Sequence, residues 1–239
     1  MDVWAVIPVK SLATSKGRLA HLLLPEQRLQ LMQALLQHVL AVAGDTPGIV
    51  QTVVISDDLQ VRRIAESRGA LALAEPSPPD LNGAVAYACD HVAALGGQAA
   101  LILPADLPFV TVPDLALMVA TGQEGEQHDT QGGYVTAQEF APSLAPSNGG
   151  RPVVAICGDR HGEGTNGLLL RPVVDFTFHY GPQSMQKHIA EALQRDYRVR
   201  LVSAPGLQFD LDTEADWRHF SGDERRAALT RLVAPPFHQ

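Results

Sequence analysis

The chain has 239 residues, of which 46% are hydrophobic and 18% charged, and its mean hydropathy is near zero. That suffices for one large α/β domain or two small ones and excludes a disordered or fibrous chain. A net charge of −8 without a basic face argues against a general nucleic-acid binder, so an anionic ligand would need a local basic patch or a metal.

"VWAVIP" (3–8) is short, β-branched and wholly apolar, a buried strand. Next, Leu29, Met32, Leu35, Leu36, Val39 and Leu40 recur at helical spacing, with Gly44 as a stop. "QTVVIS" (51–56) is a strand, and "DLQVRRIAESRG" a helix ending at Gly69. A short "ALAL" strand, the proline-rich "EPSPPD" loop and the helix "LNGAVAYACDHVAALGG" follow. "LILPADLPFV" (101–110) is a strand running out into Asp106 between Pro104 and Pro108, before a helix near 113–120. The alternation predicts a three-layer α/β/α architecture with a mostly parallel sheet. Residues 121–150, rich in Gly, Pro, Ser and Gln, read as an irregular insertion with a short strand at "GYVTA". "RPVVAIC" (151–157) resumes the sheet. The expected organisation is one domain over 1–220 and a helical appendage over 221–239 that packs on the domain or forms a homodimer contact. Cys89 and Cys157 lie in apolar sequence, and no signal peptide or membrane-length apolar run is read. The expected setting is therefore cytoplasmic, with reduced thiols and no membrane partner.

Ligands of a parallel α/β sheet gather beyond the carboxyl ends of its strands. Four segments fall there. In "FDLDT" (209–213), read as a strand, Asp210 and Asp212 would aim two carboxylates to one side, unfavourable unless a cation such as Mg²⁺ neutralises them. Thr213 and Asp216 have the spacing of a capping box. Lys10, Lys16 and Arg18 in "PVKSLATSKGRL" form the densest basic cluster near a strand end, suited to a triphosphate, yet match no Walker or dinucleotide loop. "GDRHGEGTNG" (158–167) is a glycine loop leading into Thr165 and Asn166, and could offer backbone N–H groups. Gly181 and Ser184 precede an amphipathic helix, with Ser184 as its N-cap and the helix start as an anion site. Each segment also has a plainer role: strand end, solvated loop, flexible turn, helix cap. His161 reads as a loop residue and the other histidines as surface or core, and no nucleophile elbow appears. Val85 and Cys89, four apart on one helix, read as core.

Taken in order, "IPVKSLATSKGRL", "LNGAV", "LPADLPFV", "GEGTNGLLLRP", "FHYGPQSMQKH" and "FDLDT" resemble the CofC-type guanylyltransferases of deazaflavin coenzyme F-420 biosynthesis. The resemblance spans roughly 3–218 apart from the insertion. It implies a Rossmann-related, GT-A-like nucleotidyltransferase fold. It implies transfer of GMP from GTP to the phosphate of phosphoenolpyruvate, 2-phospho-L-lactate or 3-phospho-D-glycerate, with release of pyrophosphate and a downstream transferase that takes the product. Carried over by motif, Asp106, Asp210 and Asp212 resemble Mg²⁺ ligands. Pro8, Val9, Lys10, Lys16, Arg18, Asn82 and Asp106 resemble nucleotide-binding positions, with Lys16 and Asp106 catalytic; an N-cap explains Asn82 equally well. Thr165, Asn166, Gly181 and Ser184 match the acceptor site. Gly167, where alanine is usual, and Gly158, where proline often stands, bear on acceptor choice. A related nucleotidyltransferase acting on molybdopterin or a sugar phosphate, or a nucleotide-binding regulator without turnover, stays open on the residues alone.

Overall fold

Strand β1 (Val3–Pro8) lies where its apolar run predicts it, at the middle of the sheet. The computed structural model describes residues 2–12, 15–78, 80–123, 139–140, 152–173 and 176–220. After β1 come helix α1 (Pro25–Asp45), β2 (Ile49–Ile55), α2 (Leu59–Ser67), β3 (Leu71–Leu73), α3 (Leu81–Ala94), β4 (Ala99–Ile102) and α4 (Val112–Gln123). The second half adds β5 (Glu139–Phe140), β6 (Val153–Gly158), β7 (Thr165–Arg171), α5 (Ser184–Gln194), β8 (Arg198–Leu201) and α6 (Glu214–Phe220). The eight described strands form one sheet in the order β3-β2-β1-β4-β7-β6-β8-β5.

Strands β1–β4 pair in parallel, as do β6 and β8, while β7 runs antiparallel to both β4 and β6. The sheet is thus mostly parallel, with β7 reversed inside it and β5, antiparallel to β8, reversed at its edge. Successive side chains of a strand face opposite ways. Accordingly Val3, Ala5 and Ile7 join a core with α1, α2 and α4, whereas Val6 joins a second core with α3 and α5. These two cores on opposite faces make the three-layer α/β/α architecture. Val85, Cys89 and Cys157 are buried in them, both thiols free.

Three local expectations are corrected. Thr165 and Asn166 do not lie in a loop; they open β7, paired with β6. "FDLDT" is not a strand but an extended loop before α6. The helix expected near 113–120 continues to Gln123, three residues into the predicted insertion. The "GYVTA" strand, the rest of the insertion apart from β5, and the 221–239 appendage fall outside the described residues.

The glycine loop also differs in kind. It is the hairpin connection that reverses β7, and the Asp159 carboxylate caps it. That carboxylate accepts from the N–H groups of His161 (2.9 Å), Glu163 (3.0 Å) and Gly164 (2.9 Å). Those N–H groups are therefore committed within the turn rather than offered to a ligand. A Cβ on Gly164 would sit 2.8 Å from Asp159 Oδ2, which explains a glycine there.

Candidate active site

The site forms where β1 and β4 end side by side. After Pro8 the chain turns away, and Asp58, the N-cap of α2, pins the turn. Its carboxylate accepts from Leu12 N–H (3.0 Å) and Ser11 Oγ (3.3 Å) as well as from Gln60 N–H (2.8 Å). Burial opposes its ionisation, but these donors outweigh burial and hold its carboxyl below the usual range. Lys16 then takes a left-handed backbone, φ 58°, and turns its side chain inward. Its side chain is only 3% exposed, and its ammonium lies 2.5 Å from Asp106 Oδ2 and 2.6 Å from Asp212 Oδ1. Burial alone would lower its pKa; the two carboxylates outweigh it and raise the pKa above the ordinary value.

Asp106 is delivered by β4, as the strand-end reading predicts, and the "FDLDT" loop is fastened beside it. Leu211 N–H donates to the Asp106 carbonyl (3.1 Å), and the Phe109 and Phe209 rings pack with centroids 5.0 Å apart. The capping box is present: Asp216 Oδ2 accepts from Thr213 N–H and Oγ1 (2.8 Å for the latter), and also from Asp212 N–H at 3.0 Å. Asp210 lines the same cavity and accepts from Asn166 Nδ2 at 3.3 Å. Burial, then the neighbouring Asp106 and Asp212 charges, raise the Asp210 carboxyl, with the Asn166 bond working against them.

These groups line a cavity of about 470 Å³ that also takes in Pro8, Val9, Lys10, Thr165 and Asn166. A neighbouring hollow of about 540 Å³ shares Lys10, Leu81 and Tyr180 with it and reaches Asn82 and Gly181. Asn82 is not an N-cap, a role Asp80 takes. Asn82 instead clamps Tyr180 through both backbone groups, accepting from its N–H (2.6 Å) and donating to its C=O (3.3 Å). Ser184 is not an N-cap either: Gln183 holds that position, and the buried Ser184 hydroxyl donates to Thr165 Oγ1 at 3.2 Å. Gly181 has φ +126°, a conformation that favours glycine. Two predicted residues line neither hollow: Ser184, buried behind Thr165, and Arg18, which the fold leaves exposed on a single 3₁₀ turn.

Two residues escape the sequence reading. Tyr180 stands between the hollows, and His188 is fully buried behind Thr165, its Nδ1 3.0 Å from Thr165 Oγ1. The signal for His188 was its place four residues after Ser184, on the same helix face. Burial pushes the Cys89 and Cys157 thiols up to about 12 and about 11, so neither is a ready nucleophile.

Among the described residues no group of three or more His, Cys, Asp or Glu side chains converges as a metal cage. The donor set nevertheless fits a magnesium–nucleotide complex. Mg²⁺ is commonly held by one or two carboxylates plus substrate phosphates. Asp106 Oδ1 is a buried oxygen without a hydrogen-bond partner, and three acidic side chains border one cavity.

A parallel α/β core with carboxylates and a buried lysine at its strand ends defines a nucleotidyltransferase-type enzyme. Solved structures carry the same fold. A putative nucleotide-diphospho-sugar transferase from Desulfovibrio desulfuricans G20 matches with TM-score 0.68 and 13% identity, over 98% of this chain and 97% of that one. A nucleotidyl transferase from Methanothermobacter thermautotroptrophicus matches with TM-score 0.58 and 16% identity, over 96% and 99%. Residues 3–126 match the family described as "Guanylyl transferase CofC like". The chain is 32% identical over 222 residues to phosphoenolpyruvate guanylyltransferase of Sphaerobacter thermophilus, covering 93% of this chain and 94% of that protein. It is 35% identical over 219 residues to the enzyme of that name from Nocardia farcinica, covering 90% and 83%. The protein belongs to the CofC-like guanylyl transferase family and is a guanylyltransferase. Among the described residues no helix is long and apolar enough to cross a membrane.

Proposed function

We propose that the protein transfers GMP from GTP to the phosphate of phosphoenolpyruvate, releasing pyrophosphate, as a step of deazaflavin coenzyme biosynthesis. The observation that carries this reading is one cavity whose wall holds both a buried, carboxylate-bridged lysine and the buried neutral side chains of Thr165 and Asn166. The relatives named phosphoenolpyruvate guanylyltransferase support the choice of acceptor.

The nucleophile is a phosphate oxygen of the acceptor. It attacks the α-phosphorus of GTP, and the bond from that phosphorus to the bridging oxygen breaks. A phosphate monoester already carries about −1.5 to −2 charge at neutral pH, so no general base is required. The work is to bring two anions together in line. Lys16, with Lys10 at the cavity rim, offsets the charge of the leaving pyrophosphate. Asp106 and the Asp210–Asp212 loop would hold Mg²⁺, which supplies Lewis-acid charge stabilisation when bound. Of the proteins sharing the fold, glucosyl-3-phosphoglycerate synthase from Mycobacterium tuberculosis has been solved with Mg²⁺ and uridine diphosphate (TM-score 0.55, 12% identity, 99% of this chain and 80% of that one). Thr165 and Asn166 orient the acceptor, with Ser184 bonded to Thr165 from behind and Gly181 at the edge of the adjoining hollow.

The test is Mg²⁺-dependent pyrophosphate release from GTP. Phosphoenolpyruvate, 2-phospho-L-lactate and 3-phospho-D-glycerate are offered separately, with a coupled transferase trapping unstable product. Phosphoenolpyruvate should give the highest kcat/KM. Preference for another acid would reassign the acceptor. No release from folded, GTP-binding protein would overturn the reading.

A further inference from the structure

Behind the cavity wall lies a hydrogen-bond chain in which one backbone group fixes the tautomer of a buried histidine. The N–H of His179 can only donate, and it points at His188 Nε2 at 2.9 Å. Nε2 must therefore present its lone pair. A neutral imidazole then carries its proton on Nδ1, the atom 3.0 Å from Thr165 Oγ1. Burial, with a smaller contribution from His179, lowers the His188 pKa to about 4 against the pull of Glu191, so the ring is neutral at physiological pH. Thr165 Oγ1 thus accepts from His188 Nδ1–H and also from the Ser184 hydroxyl at 3.2 Å. A hydroxyl has two lone pairs and one proton. With both lone pairs engaged, the proton of Thr165 is left for the cavity that the residue lines.

We propose that His188 is a positioning residue: it fixes the hydroxyl proton of Thr165 toward the cavity, so that Thr165 meets the acceptor only as a hydrogen-bond donor. The inference deepens the proposed function and rests on its reading of the Thr165 end as the acceptor's. Its consequence is selectivity for chemical class. The ionised oxygens of a phosphate or carboxylate can only accept, and they meet a proton already in place. An uncharged group that must donate meets no free lone pair on Thr165. The ring is held to this task by packing, with Tyr180 edge-on at 4.8 Å between centroids and Phe176 at 6.0 Å.

Two measurements test this on the full chain. The first is the ¹⁵N spectrum of the histidine rings at neutral pH. A protonated Nδ1 and a bare Nε2 on His188 are expected, and the opposite tautomer would overturn the proposal whatever the activity. The second is a cycle of variants assayed with GTP and phosphoenolpyruvate. His188→Leu should raise KM for phosphoenolpyruvate about 10- to 100-fold, the range for losing a hydrogen bond to a charged group, and leave KM for GTP unchanged. His188→Asn, whose amide N–H can stand in for Nδ1–H, should recover most of that loss. Thr165→Val should match His188→Leu, and the double variant should be no worse than Thr165→Val. Losses that add, or KM values for GTP and acceptor that rise together, would assign His188 a purely structural role. If His188→Leu does not fold, Thr165→Ser against Thr165→Val isolates the hydroxyl, and equal KM values for that pair would overturn the proposal. Wild-type protein inactive with phosphoenolpyruvate would sink the proposed function alone, because the tautomer is read without turnover.

Discussion

At one end of the cavity Lys16 sits between Asp106 and Asp212, Asp210 is raised by its acidic neighbours, and Asp106 Oδ1 is buried without a partner. The neutral end is Thr165, which lines the same cavity, with Ser184 and His188 buried and each bonded to it from behind, and no formal charge is present among the three at neutral pH. The charged end is assembled from two loops and the tip of a strand. The neutral end is held by strand β7 and helix α5. The difference suits the ligands. A nucleotide triphosphate brings charge and a cation that reorganise whatever receives them, so unsatisfied valence there is useful. A small acid must be aligned to within a fraction of an ångström, so its donors are set in advance.

Removing charge at the first end should do the most damage. Asp106→Asn keeps the shape and the contact with Lys16 but removes the buried carboxylate. Turnover is expected to fall about 10³-fold, at the upper range for losing one preorganised electrostatic group, while circular dichroism and melting stay near wild type. Near-normal release of pyrophosphate, or an unfolded variant, would break the contrast between the ends.

The neutral end should reveal itself in acid. The His188 pKa in the folded protein is about 4, against an unperturbed value of 6.5, because burial disfavours the cation, His179 adds to this and Glu191 opposes it. The unfolded chain therefore binds a proton first as pH falls. Stability from this group is complete above about pH 6.5 and declines toward pH 4, by roughly 3 kcal/mol in all. Glu191 acts in the same direction at lower pH. Its carboxyl is held at about 2, because Arg195, His179 and Thr177 outweigh burial, so its contribution is lost as pH falls from about 4.5 through 2. Urea midpoints at pH 7, 5.5 and 4 should fall in step, and His188→Leu should flatten the upper part of that slope. An unchanged slope in the variant would place the acid sensitivity elsewhere.

Lys16→Met sharpens the comparison from the cation side, and a loss of about 10- to 100-fold in kcat/KM for GTP is expected, measured at saturating acceptor. The residue also shows how far the sequence carries. Lys16, Asp106 and Asp212 lie 90 and 196 residues apart along the pairings they form, yet each was legible as a charged group at a predicted strand end. The strands themselves were legible because buried parallel strands read as apolar runs. Three things were not. The reversal of β7 depends on Asp159 closing a six-residue turn, which composition alone presents as a flexible glycine loop. Asn82 and Ser184 carry cap chemistry at helix starts, but Asp80 and the left-handed Gln183 took those positions and freed both side chains for tertiary bonds. His188 gave no local signal beyond its spacing from Ser184, since its partners come from β7 and the segment before α5.

Arg18 is the smallest effect and the sharpest test of reading charge from spacing. In a linear view it completes a basic trio with Lys10 and Lys16. In the structure the left-handed turn at Lys16 starts a 3₁₀ turn over Gly17–Leu19, and its residues diverge: Lys16 goes in, Leu19 is buried in the core beside α1, and Arg18 is left in solvent. The turn is anchored by Leu19, so its orientation follows from burial and not from any phosphate. Arg18→Gln should therefore change kcat/KM for GTP by less than about threefold, the scale of an exposed charge acting through screened water. Leu19→Ala should destabilise the fold by about 2–5 kcal/mol and loosen Lys16 with it. A tenfold rise in KM for GTP in Arg18→Gln, with stability intact, would mean that nucleotide binding turns this loop over. The charged end would then be a moving part, closing on its ligand, set against a neutral end that is not.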